Sequence, residues 1–280
     1  MSVPTACIVG WPIAHSRSPM VHRYWLREIG IEGDYVPLAI EPERVAGFFS
    51  AFAESGFIGG NVTVPHKEVA FASVAHADES AAILGAVNTI WLDDGRLCGC
   101  NTDTGGFVAN LDQSAPGWSE KGRGRAVVLG AGGAARGVAW GLIGRGFDPV
   151  IVINRTADRA EAIADTFGSR VVAAPWEDRE AALAGADILV NTTSLGMKGQ
   201  PDLELDLRRM GNDAVVCDLV YVPLQTGLLR SARERGLVAV DGLGMLLHQA
   251  VPGFEKWFGK RPAVTEELRR LVAQDILATT

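Results

Sequence analysis

The stretch GGNVTVPHKE, Gly59 to Glu68, sets short polar side chains (Asn61, Thr63 and His66) around Pro65 and ends on a lone ammonium at Lys67. Moving a hydride to or from a carbon needs a group that exchanges a proton with the substrate oxygen as the hydride moves, and Lys67 is the candidate. Asp103, in NTDTGG, is the candidate anion that holds it. Strand alternation puts Asn61 and Thr63 on one face and leaves Val62 and Val64 to the core. Further short polar groups stand at Asn88 and Thr89 in VNTIW, and at Asn101 and Thr102 beside Asp103. Ser16 and Ser18 lie just ahead of a helix predicted from Pro19. Such a set, with few long side chains, suits a small polyhydroxylated molecule bearing a carboxylate. Its hydroxyls meet donor–acceptor groups, and its carboxylate meets serine hydroxyls and helix-start N–H groups. Taken singly, each of these residues is a common cap or turn former, a surface lysine or an N-capping aspartate.

A second chemistry is written in VVLGAGGAAR, which matches G-x-G-x-x-A at Gly130, Gly132 and Ala135. Gly130 permits a tight turn, Gly132 lets the backbone approach a pyrophosphate, and Ala135 allows close helix–strand packing. The following helix start offers free N–H groups to phosphates. An apolar strand precedes the loop, and PVIVIN supplies the next strand, which is the context a dinucleotide site needs. After that strand the chain reads NRTADRA: Asn154, Arg155 and Thr156, with Arg159 one helical turn on. An NAD site usually carries a carboxylate there for the ribose 2′-OH, whereas a guanidinium suits a 2′-phosphate. The expected cofactor is therefore NADP.

The elements that must position these groups alternate in kind. TACIVG reads as a strand, Pro19–Ile29 as a helix closed by Gly30, DYVPLAI as a strand, ERVAGFFSAFAESG as a helix closed by Gly56, and FIGGNVTV as a strand. Glu68–Ala75 is a predicted helix, and ILGAVNTIWLDDGRLCGCN a hairpin turning at Asp94-Gly95. Residues 1–103 thus form an α/β layer with much of its sheet parallel. The Gly/Pro/polar stretch Ser114–Arg125 leads into a second parallel βαβ array, with later strands in ADILVNTTSLGM, DAVVCDLVY and GLVAVDG. From Leu243 the tail is helical.

Composition bounds the rest. The 280 residues are 48% hydrophobic with a formal net charge of −7 and no basic run, which disfavours nucleic acid or an anionic membrane as partner. No stretch stays apolar long enough to span a bilayer, and the start MSVPTACIVG lacks the features of a secretory signal. The four cysteines, Cys7, Cys98, Cys100 and Cys217, fit neither a disulfide framework nor a paired zinc site, and read as buried apolar groups in a reducing cytoplasm. The five histidines show no metal-ligand spacing, so no metal is expected. The seven tryptophans are scattered, and REIGIEGD and TEELRR read as solvated helix faces.

The blocks GWPIAHSRSPMVH, GGNVTVPHKE, LGAVNT, NTDTGG, VLGAGGAAR, NRT, NTTSLGM, CDLVYVPLQT and DGLGMLLHQA together resemble, in order and nearly end to end, the shikimate dehydrogenases. These are NADP-dependent enzymes that reduce 3-dehydroshikimate to shikimate in aromatic amino-acid biosynthesis. The resemblance implies two α/β domains with the active-site cleft between them. The substrate domain would be residues 1–103 completed by helices of 243–280, with a mostly parallel sheet. Residues 104–242 would form a Rossmann-type NADP domain. Carried over by motif, Ser16 and Ser18, with Tyr221, would bind the substrate carboxylate. Asn61, Thr63, Asn88, Asp103 and Gln249 would hold the ring hydroxyls, and Lys67 with Asp103 would be the catalytic pair. The NADP contacts implied are Gly130, Ala131, Gly132, Gly133, Ala134, Asn154, Arg155 and Thr156, then Thr192, Ser194, Met197 and Leu219, and Gly242 and Met245 toward the nicotinamide. A cytoplasmic monomer or homodimer is expected. The chain carries Arg23 where many members have asparagine. Two other readings stay open: a quinate/shikimate dehydrogenase of broader substrate and cofactor use, and a catalytically silent NADP-binding module.

Overall fold

The computed structural model describes residues 3–120 and 124–279, so residues 121–123 of the predicted connecting stretch lie outside the described residues. By packing, the chain divides into two compact units, Met1–Asp103 with Leu246–Val272, and Thr104–Met245 with Ala273–Thr280.

In the first unit β1 (Thr5–Gly10), β2 (Asp34–Ala39), β3 (Gly59–Val62), β4 (His76–Ala77), β5 (Thr89–Asp93) and β6 (Arg96–Cys100) form one sheet in the order β2-β1-β3-β5-β6-β4. Three of its five neighbour pairs are parallel; β5 runs antiparallel to β3 and to β6. The β5–β6 hairpin turns at Asp94 and Gly95, whose φ values of 48° and 75° are those a tight primed turn demands. Period-2 alternation divides β1 cleanly. Cys7 and Val9 join a core with Phe49, Phe52, Val62 and Ile90, while Ala6 and Ile8 pack with Tyr35 and Trp257 on the other face. Each fully buried aliphatic side chain contributes about 1.5–3 kcal/mol. Gly59 must be glycine, because a Cβ there would lie 2.2 Å from Trp257 Nε1, which itself donates to Ile90 O.

Several boundaries differ from the expectation, each for a local reason. The helix predicted over 43–56 is Pro42–Ser50 followed by a 3-10 turn Phe52–Glu54; the Ser50 hydroxyl bonds back to Ala46 O at its end. β3 stops at Val62, since the backbone turns over Thr63–His66, where His66 N–H donates to Thr63 O. Val64 is in consequence 70% exposed and does not serve the core as the alternation had suggested. The next helix is Lys67–Ser73. Ile83 and Leu84, assigned above to the hairpin, belong to a short helix Glu79–Leu84 whose start is capped by the Asp78 carboxylate. Arg23 Nε donates to Asp34 Oδ1 at 2.8 Å, clipping helix Ser18–Ile29 to the start of β2.

The second unit holds β7 (Ala126–Leu129), β8 (Val150–Asn154), β9 (Val171–Pro175), β10 (Ile188–Asn191), β11 (Val215–Asp218) and β12 (Val238–Val240). All pairs are parallel in the order β12-β11-β10-β7-β8-β9. Alternate residues of β7 feed opposite cores: Ala126 and Val128 one, Val127 and Leu129 the other. A parallel sheet covered on both faces follows. The strand order reverses between β7 and β10, the place where such sheets open a crevice at their carboxyl ends. No sequence pattern marks β9, because VVAAP is short and alanine-rich and carries no clear period. The tail forms helices Leu243–Phe258 and Glu266–Thr279 with a break between them at Gly259. Among the described residues no helix is long and apolar enough to cross a membrane.

Candidate active site

In the first unit Lys67 opens helix Lys67–Ser73 directly after the turn that ends β3. The turn is held by buried His66, whose Nε2 donates to Ile40 O at 2.7 Å, so this histidine serves the scaffold. Val87 N–H donates to Lys67 O at 2.9 Å and ties the helix start to the loop that carries Asn88. Asp103 opens helix Asp103–Ser114, where the helix dipole favours a carboxylate. The two side chains meet: Lys67 Nζ donates to Asp103 Oδ2 at 2.6 Å, and Asn88 Nδ2 donates to Asp103 Oδ1 at 2.7 Å. Both carboxylate oxygens are thereby engaged, and the ammonium has one of its three N–H donors committed. The Lys67 side chain is 27% exposed and that of Asp103 19%, so the pair is sheltered and still reachable by a small molecule.

Asn88 itself is held hard. Its Oδ1 accepts from Thr102 N at 2.9 Å and from the hydroxyls of Thr89 and Thr102. The Thr102 hydroxyl also reaches Gln249 O at 2.8 Å, which brings helix Leu243–Phe258 to the same cluster. Asn61 is buried, and its amide is spent inside the protein: Oδ1 accepts from Tyr35 Oη at 2.6 Å, and Nδ2 donates to Asn88 O and Thr89 Oγ1. Thr63 stands half-buried just beyond β3. Ser18 is the first residue of helix Ser18–Ile29, and its N–H donates to Ser16 Oγ at 3.3 Å. The structure therefore gathers Lys67, Asp103, Asn88 and Asn61 into one hydrogen-bonded group that Gln249 joins by its backbone carbonyl, its side-chain Nε2 donating to Leu246 O, with Ser16 and Ser18 paired at a helix start. Tyr221 belongs to the second unit, beyond β11.

Sequence reasoning missed two members of this neighbourhood. Tyr35 orients Asn61, as above. His22, one turn along the helix from Ser18, is fully buried, and neither ring nitrogen has a hydrogen-bond partner. Its ring stacks on Tyr35 with centroids 4.0 Å apart, and burial pushes its pKa down from 6.5 to about 3 against a weaker upward pull from the nearby Asn61 side chain. No local pattern marks either role.

In the second unit the turn after β7 has the geometry its glycines imply. Gly130 sits at φ 103°, and a Cβ there would lie 2.6 Å from Thr192 Oγ1. The space a Cβ would take at Gly132 and at Gly133 is open, and no side chain caps the start of helix Gly133–Gly144. Uncovered amides at a helix start, above an open cradle, fit a phosphate. A recess of about 190 Å³ brings together Gly130, Ala131, Gly132, Asn154, Arg155, Thr192 and Ser194 of the expected set. Arg155 is exposed there and Asn154 Nδ2 donates to Thr156 O at 2.9 Å, shaping the corner after β8. Thr156 and Arg159 are exposed nearby along the chain, Ala134 continues the first helical turn, and Met197 is 41% exposed; these do not line the recess. Leu219 and Gly242 lie on neighbouring loops, joined by Gly242 N–H to Val220 O, and Met245 packs against the core. The recess has one wall that the motifs did not name, Trp176.

Loops at the ends of β10 and β11 are set by a buried polar cluster. Asp218 accepts from Asn191 Nδ2, Val220 N and Thr226 Oγ1, and Asn191 Oδ1 accepts from Thr193 N–H and its hydroxyl. Burial raises the Asp218 pKa, and those donors oppose the rise. All four cysteines are buried free thiols; burial pushes Cys100 up to about 12 and keeps it from acting as a nucleophile. Among the described residues no group of three His, Cys, Asp or Glu side chains gathers as a metal site.

Comparisons with known proteins match the chain over nearly its whole length. The profile described as "Shikimate dehydrogenase substrate binding domain" matches residues 8–90, "Shikimate / quinate 5-dehydrogenase" residues 117–197, and "Shikimate 5'-dehydrogenase C-terminal domain" residues 242–271. Shikimate dehydrogenase (NADP(+)) of Azorhizobium caulinodans is 58% identical over 271 residues, covering 97% of this chain and 96% of that one. The solved structure of the Thermus thermophilus shikimate 5-dehydrogenase with NADP(H) and shikimate is similar at a TM-score of 0.85 and 36% identity, covering 98% of this chain and 99% of that one. Quinate dehydrogenase from Corynebacterium glutamicum in complex with NAD is similar at a TM-score of 0.87 and 29% identity, with 99% of each chain covered. Matched by these profiles and 58% identical to such a relative over nearly its full length, the chain belongs to the shikimate dehydrogenase family.

Proposed function

We propose that the chain catalyses the reversible, NADP-dependent reduction of 3-dehydroshikimate to shikimate, with Lys67 and Asp103 as the acid/base pair. The observation that carries this reading is the Lys67–Asp103 contact of 2.6 Å, locked from behind by Asn88. NADPH, when bound, supplies the hydride. Lys67 donates a proton to the substrate oxygen as the carbonyl becomes an alcohol, and takes it back in the reverse direction. Asp103 keeps the ammonium in place while a hydroxyl-bearing ring is held beside it. The Asn61–Asn88–Thr102 cluster fixes that wall, and Ser16 and Ser18 present donors to the carboxylate. Arg155 meets the 2′-phosphate, and the cradle of Gly130 to Gly133 the pyrophosphate. The substrate domain is assigned to residues 1–103 with helices of 243–280, and the cofactor domain to 104–242; by packing, 243–245 and 273–280 go with the second unit. A cytoplasmic enzyme, monomeric or homodimeric, goes with this reading, and four buried free thiols suit a reducing compartment.

The likeness to a quinate dehydrogenase with NAD makes breadth of substrate and cofactor the competing reading. Initial rates with shikimate and with quinate, each with NADP and with NAD, decide between them. Strong preference for shikimate with NADP is expected. Comparable rates with quinate or NAD would move the protein to the broader branch, and no rate with any pair would leave only a silent NADP binder.

A further inference from the structure

Trp176 opens a 3-10 turn, Trp176–Asp178, directly after β9. β8 and β9 pair in register Asn154↔Pro175, so the next residue of each strand, Arg155 and Trp176, leave the sheet side by side. Both line the recess of about 190 Å³ that also includes Gly130 and Thr192. The indole is anchored: Arg179 stands over its ring at 5.2 Å and donates to Trp176 O at 3.0 Å, and the side chain is half-buried against the core. An aromatic side chain kept partly open beside a dinucleotide cradle offers what a purine needs, a flat apolar and polarisable surface.

Position along the sheet says which part of the ligand it meets. The glycine turn after β7 is the pyrophosphate site, and the end of β8 is the ribose 2′ site. β9 lies one strand further in the same direction, and the adenine is the group of the dinucleotide that lies beyond its ribose. We infer that Trp176 is an adenine-contacting residue of the cofactor site, an assignment that rests on the NADP reading above. Arg155 then holds the 2′-phosphate and Trp176 the base, so adjacent strand ends divide the adenosine half between charge and apolar surface.

The test uses 2′,5′-ADP, which has the adenine and the 2′-phosphate and lacks the nicotinamide, titrated by calorimetry into the wild type, Trp176→Ala and Trp176→Phe. Removing an aromatic that packs on a base weakens binding by roughly tenfold. Trp176→Ala is expected to bind 2′,5′-ADP about tenfold more weakly, and to raise KM for NADPH in step while KM for shikimate stays put. Trp176→Phe, which keeps a flat ring, is expected to recover most of the loss. Undiminished binding of 2′,5′-ADP by Trp176→Ala would overturn the assignment, as would a loss that phenylalanine does not restore or one matched by a rise in KM for shikimate. A wild type that fails to bind 2′,5′-ADP at all would instead sink the NADP reading itself.

Discussion

His22 is treated by the fold as a hydrophobe. Its ring lies among Tyr35, Trp25, Phe254 and Trp257, and Asn61 is the polar group near enough to oppose the effect of burial. The folded protein holds it neutral until about pH 3, whereas the unfolded chain protonates it near 6.5. Between those values the unfolded state binds more protons, so stability falls as the pH drops through 6.5, by about 1.4 kcal/mol per pH unit at most from this residue. Denaturant unfolding of the wild type and of His22→Leu at about pH 7, 6 and 5 checks this. The wild type is expected to lose about 2 kcal/mol more than the variant over that range, and parallel curves would show that the ring does not titrate. Asn61 teaches a related lesson. The strand pattern marks it as a polar group facing a pocket, yet its amide is committed to Tyr35, Asn88 and Thr89, so it reaches the site chiefly by fixing Asn88.

Among the elements, the turn after β7 is where backbone conformation and ligand geometry depend on one residue. Gly130 combines a φ of 103° with a Cβ position 2.6 Å from Thr192 Oγ1, and that hydroxyl already donates to Leu129 O. Gly130→Ala must both strain the turn and push the loop after β10 away. Strain of this kind costs about 1–3 kcal/mol. The variant is expected to bind NADPH at least roughly tenfold more weakly, read by fluorescence titration. Unchanged affinity would mean that the turn accepts a side chain and that the phosphate cradle does not depend on Gly130. The β3 turn works differently. There the strand ends early, Val64 goes to solvent, and the backbone gains the room to place Lys67 at a helix start.

At the scale of the whole molecule, two units with separate cores hold the two halves of the proposed site. Lys67 and Asp103 lie in the first, while the glycine turn, Arg155 and Trp176 lie in the second. Loss of the proposed proton-transfer group therefore leaves the cofactor half untouched. Lys67→Ala is expected to lower kcat by roughly 10²–10⁴-fold, the range general acid–base catalysis supplies, while Kd for NADPH changes by less than about twofold. Stopped-flow turnover and a direct NADPH titration measure both. Near-normal turnover would remove the lysine from its assigned role.

The amino-acid sequence by itself determined what depends on neighbours along the chain. Alternating and apolar runs mark most strands, Asp94-Gly95 marks the hairpin, and Gly130 and Gly132 mark the phosphate turn, because period and backbone freedom are local properties. The family blocks pointed to Lys67, Asp103 and Arg155 for the same reason, as short motifs of fixed residue type. Tertiary structure alone decided which distant groups meet. Asn61 and Tyr35 are joined across 26 positions, Lys67 and Asp103 across 36, and Thr102 and Gln249 across 147. It likewise set Trp176 beside Arg155 through the β8–β9 register, although 21 positions separate Asn154 from Pro175. Strand order and side-chain packing make these contacts, and no period in the sequence encodes either one.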